Sequence, residues 1–172
     1  MRYRNKYDFS GKCSEVGETA EDLFQKIAWD KGWSARSATR KEQLQHIDFH
    51  LYNDESLKEY KVDVKARKKV KRTDSNINDE LIWVEFTNVA GREGWLNGLA
   101  DYIAFEQEDH FIIFDRLGIL NFCKKKVNFK NRVTQSKDAV YNIYQRSGRK
   151  DEISLIPLND LKKHLGYSTW HK

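Results

Sequence analysis

The stretch Gln45–Arg67, QHIDFHLYNDESLKEYKVDVKAR, decides the fold. From Gln45 to Tyr52, Ile47, Phe49 and Leu51 fall on one side of an extended chain, and His46, Asp48, His50 and Tyr52 fall on the other. That period of two is the signature of a half-buried strand. Asn53, Asp54, Glu55 and Ser56 supply turn chemistry. From Lys58 to Arg67 the alternation returns, with Tyr60, Val62, Val64 and Ala66 opposite Glu59, Lys61, Asp63, Lys65 and Arg67. Two alternating runs joined by a short polar turn predict a β-hairpin with one apolar and one charged face.

Upstream, Val16, Ala20, Leu23, Phe24, Ile27 and Ala28 recur at three and four residues, predicting an amphipathic helix from Ser14 to Lys31. Ser14 suits an N-cap, the acids Glu15, Glu18, Glu21 and Asp22 suit the positive end of the helix dipole, and Gly32 suits a C-cap. A short strand over Trp33–Ser37 follows. Downstream, Lys68–Asn78 reads as a lysine-rich loop and Glu80–Val89 as a strand, followed by Gly91, Gly94 and Gly98 around Trp95. Ala100–Glu106 with His110–Arg116 predicts a second hairpin, Leu117–Val127 a short helix, and Val140–Arg146 with Glu152–Leu158 a third hairpin. A closing helix starts at Asn159 or Asp160. This order predicts an α+β fold, a mixed sheet with helices packed on it.

The chain of 172 residues falls within one domain on the usual length prior, and it is long enough to bury a core without disulfide or metal staples. Aromatic residues make up 13%, too many for a disordered polyelectrolyte. One Pro and nine Gly exclude collagen-like and Pro/Gly-rich low-complexity classes. There is no internal repeat. The longest apolar run, Phe111–Phe114, is strand-sized, and the basic N-terminus lacks the apolar segment of a secretory signal, so neither membrane nor export is expected. Cys13 and Cys123 show no metal-ligand spacing and suit a reducing cytoplasm as packing residues. Thirty-one Lys and Arg against 26 Asp and Glu give a net charge of +5, which allows a polyanionic partner.

The charged hairpin face carries the chemistry. Asp63 and Lys65, two apart, project side by side from one strand. A register placing Asp48 opposite them assembles two carboxylates and an ammonium. Paired carboxylates suit Mg²⁺ or Mn²⁺, hard ions that keep waters and accept phosphate oxygens. The lysine can hold a water attacking phosphorus as its ammonium, or deprotonate it as the neutral amine. Acid-x-Lys also occurs at Glu59–Lys61 and Asp160–Lys162, and the plain alternative is a solvated charged face.

Helix, hairpin and order together resemble the PD-(D/E)xK nuclease superfamily, with its restriction-endonuclease-like fold. The nearest look is to its archaeal Holliday junction resolvase and phage-nuclease branches. Gly17-Glu18-Thr19-Ala20-Glu21 matches the helix motif Gly-x-x-x-Glu, Ile47-Asp48-Phe49 the hydrophobic-Asp strand, and Val62-Asp63-Val64-Lys65-Ala66 the Asp/Glu-x-Lys strand. The likeness covers about Ser14–Val89, and Ile47 stands where the family often has Pro. It implies a Mg²⁺-dependent (or Mn²⁺-dependent) enzyme leaving 5′-phosphate and 3′-hydroxyl ends on DNA. Asp48 and Asp63 would ligate the metal with the Val64 carbonyl nearby, Glu21 would assist from the helix, and Lys65 would position the water. Glu18, one turn before Glu21, is the alternative helix acid.

Other readings stay open beside it. Glu59 and Lys61 share the Asp63 face and form an alternative pair. His46 and His50 flank Asp48 as a possible zinc pair or as ordinary strand histidines. Glu85 shares a strand face with Trp83 and Thr87, and the family places such a strand next to the site. Arg67, Lys68, Lys69, Lys71 and Arg72 directly follow the acid-x-Lys strand and are expected to contact phosphates, giving salt-dependent affinity without sequence readout. Lys124–Lys126, near Asn128 and Lys130, form a second basic patch. Trp95 suits the core better than base stacking. Double-strand cleavage needs two active sites, so a homodimer is expected, although no feature marks its interface. With no DNA-reading module appended, cleavage is expected to be structure-selective or nonspecific, in the cytoplasm of a phage-infected host. A non-catalytic nucleic-acid-binding domain on the same fold is the competing function, and a basic interaction module the third.

Overall fold

A computed structural model describes residues 12–55, 57–71 and 73–172, and they form an α+β fold with two mixed sheets. The opening helix α1 spans Lys12–Asp30. It begins before Ser14, which therefore lies inside the helix and does not cap it. Its other end closes as expected at Gly32, which takes φ +80°. There the Trp33 N–H donates to the Ala28 carbonyl and the Gly32 N–H to the Trp29 carbonyl, both at 2.9 Å. This paired closure needs a left-handed residue, which glycine supplies without a Cβ penalty.

Six strands form the first sheet, in the order β1 (Ser34–Ser37), β2 (Phe49–Asn53), β3 (Lys58–Lys65), β5 (Tyr102–Glu106), β6 (His110–Asp115) and β10 (Tyr167–His171). β1, β2 and β3 pair antiparallel, and β3 pairs parallel with β5. The predicted hairpin is therefore present, with Phe49 opposite Val62 and Leu51 opposite Tyr60. Its apolar face receives α1, whose Ala20, Phe24, Ile27 and Ala28 pack with Phe49, Leu51, Val62, Val64, Ala104 and Phe111. Phe24 is fully buried, stacked on Trp170 at 5.3 Å and edge-on to Phe111 at 5.3 Å.

The second sheet runs β4 (Leu81–Thr87), β9 (Glu152–Pro157), β8 (Asn142–Tyr144) and β7 (Asn128–Val133), with α3 (Arg116–Lys126) and α4 (Leu158–His164). The chain thus builds two compact units. One holds the residues up to Ala66 with Leu99–Ile113 and Ser168–Lys172, and the other holds Arg67–Gly98 with Phe114–Tyr167. No helix among the described residues is long and apolar enough to cross a membrane. Cys123 is buried, which pushes its thiol up to about 12 and leaves it an inert packing group; the Cys13 side chain lies outside the described residues.

Three sequence expectations change. The first strand of the hairpin begins at Phe49 and not at Gln45, because a short helix α2 (Arg40–Gln43) intervenes. Thr39 and Glu42 close a capping box around it, and the following turn puts His46 at φ +60°. His46 is therefore not on the strand. Second, Glu85 lies on β4, a strand of the second unit's sheet, so the strand that adjoins β3 is β5 instead. Third, β7 and β10 were unforeseen. β7 exposes nearly every side chain, so no alternation betrays it, and β10 follows a closing helix that stops at His164.

Glycine earns its place at Gly94, where an added Cβ would sit 2.3 Å from the Glu85 carbonyl oxygen. The Gly94 N–H donates to the Phe86 carbonyl at 2.9 Å, so β4 and the turn at Trp95–Asn97 cannot separate freely. Gly94→Ala should cost the second unit about 2–3 kcal/mol, the range of an overpacked site. Chemical denaturation followed by tryptophan fluorescence, to which Trp83 and Trp95 of this unit contribute, would measure it. An unchanged midpoint would show that the strand and turn yield.

Candidate active site

Register places the acids. Phe49 pairs with Val62, and the Asp48 N–H donates to the Val62 carbonyl at 2.9 Å, so Asp48 stands opposite Asp63 at the mouth of the hairpin. Glu59 pairs with Tyr52 and Lys61 with His50, which sets the alternative acid-x-Lys pair further along the strands from Asp48. On the side away from α1, Asp63 is only 2% exposed, so the solvated-face reading fails at this residue. Lys65 forms an ion pair with Asp63 Oδ1. Asp63 Oδ2 is buried and has no hydrogen-bond partner among the described residues. Asp48 is fixed by the Val64 N–H, which donates to its Oδ2 at 2.8 Å. It is thus the Val64 amide that orients this carboxylate.

The electrostatics follow from crowding two acids in a dry place. Burial first, and then the charge of Asp63, pushes the Asp48 carboxyl up to about 7. Asp63 is also raised, by burial above all, while Lys65 pulls in the opposite direction. Glu21 bears on Asp63 as a further negative charge. It directly follows Ala20, which is buried where α1 packs on β3.

His50 is buried beside this cluster, its Nε2 3.0 Å from Glu42 Oε1 and its Nδ1 2.9 Å from Glu59 Oε1, without hydrogen-bond alignment at either nitrogen. Glu42 was missed in the sequence, although Thr39-Arg40-Lys41-Glu42 carries the capping-box signature that would have placed it. His46, in a left-handed turn before β2, does not share a strand face with His50. Among the described residues, no group of three or more His, Cys, Asp and Glu is arranged to hold a metal ion. Mg²⁺ asks less of the protein, binding through one or two carboxylates plus water and substrate phosphate. A facing carboxylate pair with one orphaned buried oxygen fits that demand.

The basic loop is only partly as expected. Arg67 is bound by Asp79, with Nε 2.9 Å and Nη2 2.6 Å from its two carboxylate oxygens, so it serves as a brace within its own unit. Lys68, Lys69 and Lys71 are exposed, and Arg72 lies outside the described residues. Trp95 is buried, as core. No family model, curated protein or solved structure matches the chain.

Proposed function

We propose that the chain is a Mg²⁺- or Mn²⁺-dependent endonuclease that hydrolyses DNA phosphodiesters on a restriction-endonuclease-like fold. The observation that carries this reading is the facing pair of part-buried Asp48 and fully buried Asp63, with Lys65 bound to Asp63. Packing two carboxylates together out of water opposes folding, and such perturbed pairs concentrate at sites of chemistry. The opening helix with Gly17 and Glu21, packed on the hairpin that bears Asp48 and Asp63, further supports the finer fold.

Asp48 and Asp63 would hold the metal, which supplies Lewis-acid polarisation of a phosphoryl oxygen. Asp63 Oδ1 anchors the Lys65 ammonium, and the Val64 N–H keeps Asp48 turned towards its partner. Lys65 then orients a water for in-line attack on phosphorus and faces the negative charge that grows there. The water oxygen bonds to phosphorus as the P–O3′ bond breaks; the water gives up a proton to solvent and the departing 3′ oxygen takes one up, leaving a 5′-phosphate and a 3′-hydroxyl. Glu21 adds negative charge on the helix side, favouring cation binding. Lys68, Lys69 and Lys71, exposed in the segment that follows β3, would contact the DNA backbone.

The test is cleavage of a panel of single-stranded, duplex, flap and four-way-junction DNA, with RNA alongside, in EDTA, Mg²⁺ or Mn²⁺. The expected result is metal-dependent cutting of DNA, reduced at least about a thousandfold in Asp63→Ala and Lys65→Ala, as for loss of groups acting in the transition state. Salt-dependent DNA binding without any cleavage would instead assign a non-catalytic binding domain.

A further inference from the structure

The second unit carries a surface that the cleavage chemistry does not use. Between Asp115 and Asp138 the chain has seven Lys and Arg and no Asp or Glu, in a protein with 26 acids among 172 residues. This segment forms α3, ending in Lys124, Lys125 and Lys126, and then β7, the edge of its sheet. Lys124, Lys125, Lys126 and Lys130 are all exposed, and none has an ion-pair partner among the described residues. Of the other three cations in the segment, Arg116 donates to the Leu96 carbonyl at 3.0 Å, Arg132 is bound to Glu152 at 2.5 Å, and Lys137 lies in the turn beyond β7.

Two ordinary roles explain part of this charge. Lysines at a helix C-terminus complement the macrodipole, and a lysine on an edge strand blocks unwanted pairing. Neither role needs four unpartnered ammoniums in seven residues, which repel one another. Nor does either explain Phe129, which stays 41% exposed while its ring is held edge-on to Phe86 at 4.9 Å. The backbone between them is fixed too, since Asn128 Oδ1 accepts from the N–H groups of Lys130 and Asn131 at 3.1 and 3.3 Å. The result is a preorganised cationic surface with one anchored aromatic face.

We propose that Lys124, Lys125, Lys126 and Lys130 form a nucleic-acid backbone site, with Phe129 packing against a sugar or base. The ammoniums would neutralise successive phosphates and release their counterions, and an anchored ring pays little entropy to stack. The inference rests on the reading that DNA is the partner, but it does not depend on catalysis.

Binding is therefore measured by fluorescence anisotropy with labelled duplex and single-stranded DNA, in the uncut background of Asp63→Asn, across a salt series. Replacing the four lysines by alanine should weaken binding at least about tenfold near physiological salt and flatten the log–log salt slope by about two or more. Phe129→Ala should weaken binding with the slope unchanged. A charge-matched control, Lys26, Lys31, Lys41 and Lys163 to alanine, should lose clearly less. Equal loss in that control, or affinity and slope unchanged in the four-lysine variant, overturns the site. So does lysine-dependent binding to phosphatidylserine vesicles with DNA binding intact. If no DNA is ever cut while the patch effects hold, the nuclease reading fails and the backbone site stands.

Discussion

Asp48→Asn should abolish metal-dependent cleavage and, in metal-free buffer at pH 8, raise the melting temperature by about 5 °C or more. Both effects come from one carboxylate. The folded chain lifts Asp48 from its ordinary value of 3.8 to about 7, because burial and the neighbouring Asp63 charge disfavour its ionised form. A carboxyl raised on folding supports the native state fully below its unfolded value, and that support fades as pH climbs through about 7. Above that pH, ionised Asp48 works against the fold by roughly 4 kcal/mol, about three units at about 1.4 kcal/mol per unit. Asparagine cannot ionise, yet its amide oxygen can still accept from the Val64 N–H. The gain over the parent should shrink as pH falls below about 7, where the folded parent takes up its proton, and vanish below about 3.8, where its carboxyl is neutral in both states. Melting curves from pH 4 to 9 in EDTA check this, and a variant less stable than the parent at pH 8 would show that the acid pair is not strained.

Phe24→Ala should cost the first unit about 3–5 kcal/mol, the usual penalty for removing a fully buried phenyl ring. Phe24 meets Trp170 from β10, Phe111 from β6 and Phe49 from β2, so its loss opens a cavity where helix and sheet join. Because α1 also positions Glu21, a folded Phe24→Ala protein should lose part of its cleavage rate as well. Urea denaturation with tryptophan fluorescence measures the stability, and a loss under 1 kcal/mol would mean that the neighbouring rings close the gap.

The hairpin was legible because Phe49 and Leu51 on one strand, and Tyr60, Val62 and Val64 on the other, each recur at a period of two; the register that sets Asp48 against Asp63 is fixed by the fold. α1 was legible for the same reason, with Gly32 marking its end. What the sequence concealed were features set by tertiary contact. Asp63 reads as one more charge on a polar face, and only the sheet buries it. His50 reads as exposed, yet Glu42 from α2 and Glu59 from β3 enclose it. Arg67 looks like a phosphate contact until Asp79, twelve residues on, is folded against it. Glu85 sits on a well-formed strand, but which sheet a strand joins depends on pairings that periodicity does not encode.

The most direct measurement is calorimetric titration of Mn²⁺ into the intact protein and into Asp63→Asn. One bound ion in the parent, lost in the variant, is the predicted result. No bound metal in the parent, or equal binding in both, contradicts a metal centre at Asp48 and Asp63.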